Sequence, residues 1–243
     1  MVRMDPKIRR DIVLGMVIQH YVRTIEPVSS AFIAEEYTEE ISSATIRNIL
    51  AELEEDGFLT HPHTSAGRVP TQRGYRYYVD FLMKEICLLD AERVRVQREY
   101  EESARELETL LEKTSEIVSD LTHCASVVSI DGLRQGYLCR GTDYLLQHLG
   151  TNDLRKLAII LRTIEQKERI LELLHRDIDR KLQIYIGHET ACEAFDDCAV
   201  AVSRFRTRRG PTGQIAVLGP TRMDYQRVVS ALEYVSDVMR EIV

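Results

Sequence analysis

The residues best suited to chemistry lie in two neighbouring clusters. Ser43, Thr45, Arg47 and Asn48 share one short stretch; His63, Thr64, Ser65, Arg68, Thr71, Arg73 and Arg76 occupy a turn-rich stretch with no acidic residue from His61 to Tyr78. Neither cluster pairs a nucleophile with a base, so the chemistry they suit is recognition of a polyanion. Forked Arg and Asn side chains match guanine and adenine edges, while hydroxyls and further arginines hold phosphate oxygens. At about 100° per residue, Ile46, Ile49, Leu50 and Leu53 form the apolar stripe of a helix and must face a core. Opposite them lie Ala44, Arg47, Asn48, Ala51 and Glu55, where two alanines permit close approach to a flat surface.

Positioning these groups requires a small scaffold. Ser42 or Ser43 supplies the helix N-cap, leaving the positive end of the dipole near Thr45, and Gly57 ends the helix before a short strand at Phe58-Leu59-Thr60. Upstream, Asp5 and Pro6 open a helix whose apolar face holds Ile8, Ile12, Leu14, Met16, Val17, Ile18, Tyr21 and Val22, and Pro27 follows its end. Ser29 and Ser30 cap a second helix through Tyr37, and Thr38 to Ser42 form a turn. Pro62, Gly67 and Pro70 bend the segment after the reading helix into a hairpin with His63, Thr64, Ser65 and Arg68 at its tip. Three helices and a hairpin predict a winged helix-turn-helix over residues 1–86, with one helix in the major groove and the hairpin on the flanking backbone. Tyr75, Tyr77 and Tyr78 are expected to pack.

Two separated blocks carry a resemblance. SSATIRNILAELEEDGFLTHPHTSAGRVPTQRGYRYYVD, from Ser42 to Asp80, resembles the signature of the HrcA family, bacterial repressors of heat-shock chaperone operons. IGHE at Ile186 to Glu189 and GQIAVLGPTRMDYQRVVSALEYVS from Gly213 to Ser236 resemble the end of the same family. The resemblance implies a homodimeric repressor of an inverted-repeat, double-stranded DNA operator, released on heat stress, with the chaperonin as a partner. It also implies a C-terminal GAF-like domain. Family members are longer, and the part lacking here falls between Val128 and the Tyr137 region, where the family has the first GAF-like strands and an inserted dimerisation module.

Beyond Phe81 the composition turns to charged helix. Tyr100, Ala104, Leu107, Leu111, Thr114, Val118, Leu121 and Ala125 recur at spacings of four and three, the pattern of a helix seam. Residues 87–128 are therefore expected to form a long connector helix that ends near Val128, with Leu107, Leu111, Val118 and Leu121 as dimerisation residues; a helix lying on its own domain is the alternative. Residues 129–243 predict a small α+β domain, truncated relative to a GAF-like one. It should contain a helix from Asp153 to His175 capped by Thr151 or Asn152, strands at 182–186, 199–205 and 214–218, and a closing helix from Asp224 to Val243. The overall class is α+β.

The formal charge is −7 over 243 residues, which argues against a protein that coats DNA and leaves a reader of short sites. No apolar run is long enough to span a bilayer and no signal-peptide core follows the N-terminus, so the expectation is a cytoplasmic protein with no membrane partner. Cys87, Cys124, Cys139, Cys192 and Cys198 form no CxxC pair and predict reduced thiols without a metal site. The histidines are scattered and no catalytic constellation emerges, so no enzyme activity and no cofactor are expected. The turn at Gly219 to Arg222 is compatible with an anion site or with a plain helix cap. Two other functions fit the same motifs: a ligand-sensing winged-helix regulator of an unrelated operon, and a winged-helix scaffold for protein contacts.

Overall fold

A computed structural model describes residues 5–36, 42–62, 67–84, 86–103, 107–130, 137–149, 154–166, 170, 172, 174, 181–206 and 212–242. Two compact units divide the chain, Met1–Lys84 and Glu85–Val243, and the class is α+β.

In the first unit, α1 (Pro6–Thr24) starts where the Asp5 carboxylate accepts from the Lys7 amide at 2.8 Å with Pro6 in the first turn. It ends at Ile25, whose φ of 63° places a non-glycine residue in the left-handed region ahead of Pro27. Its buried side chains are Val13, Leu14, Val17 and Ile18. Ile8 and Ile12, expected on that inner face, are exposed, and Val13, which was not expected there, is fully buried. The stripe is rotated because residues i, i+1, i+4 and i+5 make the contact. Helix α2 (Ser30–Glu36) buries Ile33, with Ser29 accepting from the Phe32 amide at 3.2 Å, and α3 (Ser43–Glu55) buries Ile46, Ile49, Leu50 and Leu53. Strands β1 (Leu59–Thr60) and β2 (Val69–Pro70) pair antiparallel, Leu59 opposite Pro70. A bridge between Val28 and Arg68 ties the second strand's start to the segment before α2. Helix α4 (Gln72–Tyr77) and a π-turn at Tyr78–Leu82 close the unit, burying Tyr75 and Tyr78.

The second unit opens with α5 (Asp90–Ser103) and α6 (Leu107–Thr122). A five-stranded antiparallel sheet follows in the order β4-β3-β7-β6-β5, with β3 at Ala125–Ile130, β4 at Leu138–Arg140, β5 at Leu182–Ile186, β6 at Cys198–Arg206 and β7 at Thr212–Pro220. Helices α7 (Thr142–Leu149) and α8 (Leu154–Glu165) cover one face, where Leu145, Ile160 and Ile164 meet Val127, Val200 and Ala216. Helix α6 and the closing helix α9 (Tyr225–Ile242) cover the other, where Ser115 donates to the Ser126 carbonyl and Ser236 to Ser203. With both faces covered, the central strands read as near-continuous apolar runs.

Three expectations for this unit are corrected. Among the described residues the sheet has five strands where three were expected. The helix thought to run to Val128 stops at Thr122, because His123 takes a φ of 52° and Ala125–Ile130, rich in β-branched residues, extends as a strand. The expected helix from Asp153 to His175 is broken after Glu165, and its expected caps Thr151 and Asn152 lie outside the described residues.

Candidate nucleic-acid interface

Helix α3 presents the surface anticipated for reading. The Ser42 hydroxyl accepts from the Thr45 amide at 3.1 Å and lies 3.0 Å from the Thr45 hydroxyl, so the cap is Ser42, and Ser43 and Thr45 are half-buried in the first turn. With Ile46, Ile49, Leu50 and Leu53 turned inward, Ala44, Arg47 and Asn48 face out. Neither Arg47 nor Asn48 has a hydrogen-bond or ionic partner among the described residues, so their donors and acceptors are available to a ligand.

Two of the four acids that end α3, Glu54 and Asp56, are paired from elsewhere in the unit, while Glu52 and Glu55 are exposed. Glu54 takes Arg68 at 3.1 Å and His61 at 3.3 Å, and Asp56 is ion-paired with Arg10. The Glu54 pair commits Arg68, one of the residues expected to contact DNA. Arg68 was expected at the polar tip. Instead it is held at both ends, its guanidinium on Glu54 and its backbone exchanging two 2.9 Å hydrogen bonds with Val28. Thr71 is likewise committed internally: its hydroxyl donates to the Gly57 carbonyl at 2.6 Å and accepts from the Gly74 amide at 3.1 Å, capping α4. Arg76 pairs with Asp80 one turn on, at 3.2 Å. Arg73 is the member of the trio with no acidic partner among the described residues; its guanidinium lies 4.9 Å over the Phe58 ring, exposed to solvent. His63, Thr64 and Ser65 lie outside the described residues.

Beside Phe58 a cleft is bounded by Lys7, Arg10, Asp11, Asp56, Arg73 and Tyr77. The Tyr77 hydroxyl donates to Asp11 at 3.0 Å, and burial, reinforced by that carboxylate, raises its pKa above the ordinary phenol value. These ties, and that of Arg68 to Glu54 and Val28, join residues 14 to 66 positions apart, so no local sequence signal announced them.

The expected dimerisation residues do not share one exposed face. Leu111, Val118 and Leu121 are buried within the second unit, and of the four only Leu107 is open, at 46% exposure. The stripe is core because a single helix lying on a sheet shows the same spacing as one paired with another chain.

Three thiols of the second unit, Cys124 and Cys198 buried and Cys139 partly buried, are held in the protonated form. Burial pushes Cys124 and Cys198 up to about 12 and Cys139 up to about 11, far from the thiolate that nucleophilic or metal chemistry needs. Among the described residues no group of three or more His, Cys, Asp or Glu is placed to hold a metal, and no helix is long and apolar enough to cross a membrane. The turn at Gly219 to Arg222 leads into a helix whose N-terminus is already occupied by Asp224, which accepts from the Arg227 amide at 3.1 Å. The distinctive IGHE run is also structural: the Glu189 carboxylate turns back to accept from the Ile186 amide at 2.9 Å.

Residues 131–229 match the family described as HrcA protein C terminal domain. The heat-inducible transcription repressor HrcA of Moorella thermoacetica is 30% identical over 338 aligned positions, covering 98% of each chain. That of Symbiobacterium thermophilum is 28% identical over 333 positions, covering 96% of this chain and 98% of its own. A third, from Pelotomaculum thermopropionicum, is 47% identical over 120 residues, or 49% of this chain and 34% of its own. Alignments of 333 and 338 positions against 243 residues mean that the first two relatives carry residues this chain lacks. A crystal structure described as a hypothetical protein at 2.2 Å resolution shares the fold, with a TM-score of 0.76 at 18% identity, covering 99% of this chain and 98% of that one.

Proposed function

This chain belongs to the HrcA family of heat-inducible transcription repressors, and we propose that it represses by reading operator DNA through α3. Residues 1–84 act as a winged helix: α3 enters the major groove, and the β1–β2 hairpin with the segment after it follows the backbone. Arg47 and Asn48 read base edges, Ala44 and Ala51 let the helix sit deep, and Ser43 and Thr45 contact phosphate at the positive helix end. Arg73 adds phosphate affinity. Arg68 acts indirectly, by fixing the hairpin against α3 and neutralising Glu54. The observation that carries this reading is the pairing of a fully buried apolar stripe with an outward face on which Arg47 and Asn48 have no partners among the described residues.

An inverted-repeat operator is met by a homodimer in the cytoplasm, because a two-fold site selects a two-fold protein. Residues 85–243 form the GAF-like part, which supports the dimer and performs no catalysis. Heat releases the operator when the DNA-competent state is lost cooperatively, and the chaperonin favours that state. Binding of an operator-variant panel by wild type and by Arg47→Ala tests the readout. The substitution should cost about 1–3 kcal/mol on the preferred site and flatten preference at one base pair. An equal loss on every sequence would make Arg47 a phosphate contact and overturn its assignment.

A further inference from the structure

Among the described residues, helix α5 is bound to its own unit along one side. Val96 and Tyr100 are fully buried, and the Tyr100 hydroxyl donates to Thr114 at 2.7 Å. Its flanking charges are also spent internally. Glu92 takes Arg227 at 2.6 Å, Arg93 lies 5.4 Å over Tyr234, Arg95 reaches Glu99 at 3.3 Å and Asp120 at 3.6 Å, and Glu99 meets Lys113 at 3.0 Å.

What remains is an outward face with a symmetry of its own. Val94 lies at its centre and is 63% exposed. Asp90 precedes it by four residues and Arg98 follows it by four; both are exposed and neither has a partner among the described residues. Ala91 and Gln97, three residues to either side, are exposed as well. On a helix all five fall within roughly 60° of the Val94 direction.

We propose that this face of α5 pairs with α5 of a second copy of the chain, antiparallel about a two-fold axis at Val94. In that register the two Val94 side chains meet on the axis, Asp90 of each copy faces Arg98 of the other, and Ala91 faces Gln97. The arrangement is isologous: one patch is complementary to itself and the contact closes as a dimer. Unlike ends of the helix meet, so charge selects the antiparallel register and rejects the parallel one, which would set Asp90 on Asp90. The occupant is a second copy because the charge pattern is its own complement under two-fold rotation. The inference rests on the dimeric repressor reading and supplies the surface that the buried seam of α6 does not. A single helix pair falls below the ~1,600 Å² of a standard interface, so the contact is modest in solution and is reinforced when one operator holds both copies.

Sedimentation of the full chain at concentrations up to about 100 μM, at low salt, tests the pairing. Asp90→Arg alone and Arg98→Asp alone each turn two attractive contacts into two repulsive ones and should raise the dimer dissociation constant about tenfold. The double exchange Asp90→Arg with Arg98→Asp restores both contacts with their signs swapped and should return it to within about threefold of wild type. A wild-type chain that stays monomeric, or a dimer indifferent to all three variants, overturns the pairing. So does a double variant as weak as the singles. Binding to a single half-site is measured alongside. A chain that dimerises as described but shows no preference for that DNA leaves the pairing standing and removes the repressor reading instead.

Discussion

Replacing Gly74 with alanine should destabilise the first unit, although the same change ordinarily stabilises a helix by about 1 kcal/mol. A Cβ at Gly74 would meet the Phe58 backbone, with its carbonyl carbon at 3.2 Å and its oxygen closer still. Neither neighbour is the end of a flexible side chain, so relief requires α4 to move off the end of α3. That movement stretches the cap in which Thr71 accepts from Gly74 and donates to Gly57, and the 3.0 Å bond from the Thr71 amide to Phe58. Overpacking costs about 1–3 kcal/mol and a weakened cap about 1 kcal/mol more, which outweighs the helix-propensity gain and leaves a net loss of about 1–3 kcal/mol. Gly15, within α1, is the control, because a Cβ there meets nothing within 4 Å. Gly15→Ala should therefore stabilise by up to about 1 kcal/mol. Urea unfolding, followed by amide exchange so that the first unit is scored by itself, reads both variants. A Gly74→Ala chain as stable as wild type would refute the close approach of α4 to Phe58.

The structure separates the arginines: Arg73→Ala should lower the slope of log K against log salt by about 0.9, while Arg68→Ala and Glu54→Ala should instead destabilise the first unit with little change in slope. DNA titrations across salt, paired with urea curves, distinguish the two effects. Leu111→Asp or Leu121→Asp places an unpaired carboxylate in the core of the second unit and should cost more than about 3 kcal/mol, whereas Leu107→Asp should leave that unit folded. Circular dichroism melts check this, and a folded Leu111→Asp chain would place the seam outside the core. Burial alone would raise the Glu92 pKa, but the Leu89 amide and the Arg227 guanidinium outweigh it and hold the carboxyl below 4.5. A depressed carboxylate stabilises above its unfolded pKa, so this contribution is complete above pH 4.5 and is lost as pH falls through the folded value. Glu92→Gln should flatten that part of the acid-unfolding profile, and an unchanged profile would remove the ion pair from the account.

Much of α3 was legible because its determinants are local. The spacing of Ile46, Ile49, Leu50 and Leu53 fixes an inner face, Ser42 and Gly57 fix the ends, and Arg47 and Asn48 are left outside. The fate of Arg68 was not legible, since Glu54 and Val28 reach it from other elements. Strand β3 was hidden because Ala125 continues the seam's spacing by one further step, and only the left-handed turn at His123 separates helix from strand. The seam itself was correctly seen as apolar. Its partner was not specified, because periodicity gives the face of a helix and not the identity of what covers it.

The most direct test of the central claim is the affinity of the full chain for an inverted repeat upstream of a chaperone operon, set against a scrambled duplex of equal length and composition at physiological salt. The repeat should be bound at least about 10³-fold more tightly. Arg47→Ala should remove about 5- to 150-fold of that preference, with the scrambled duplex unaffected. Equal affinity for the two duplexes would contradict operator reading through α3.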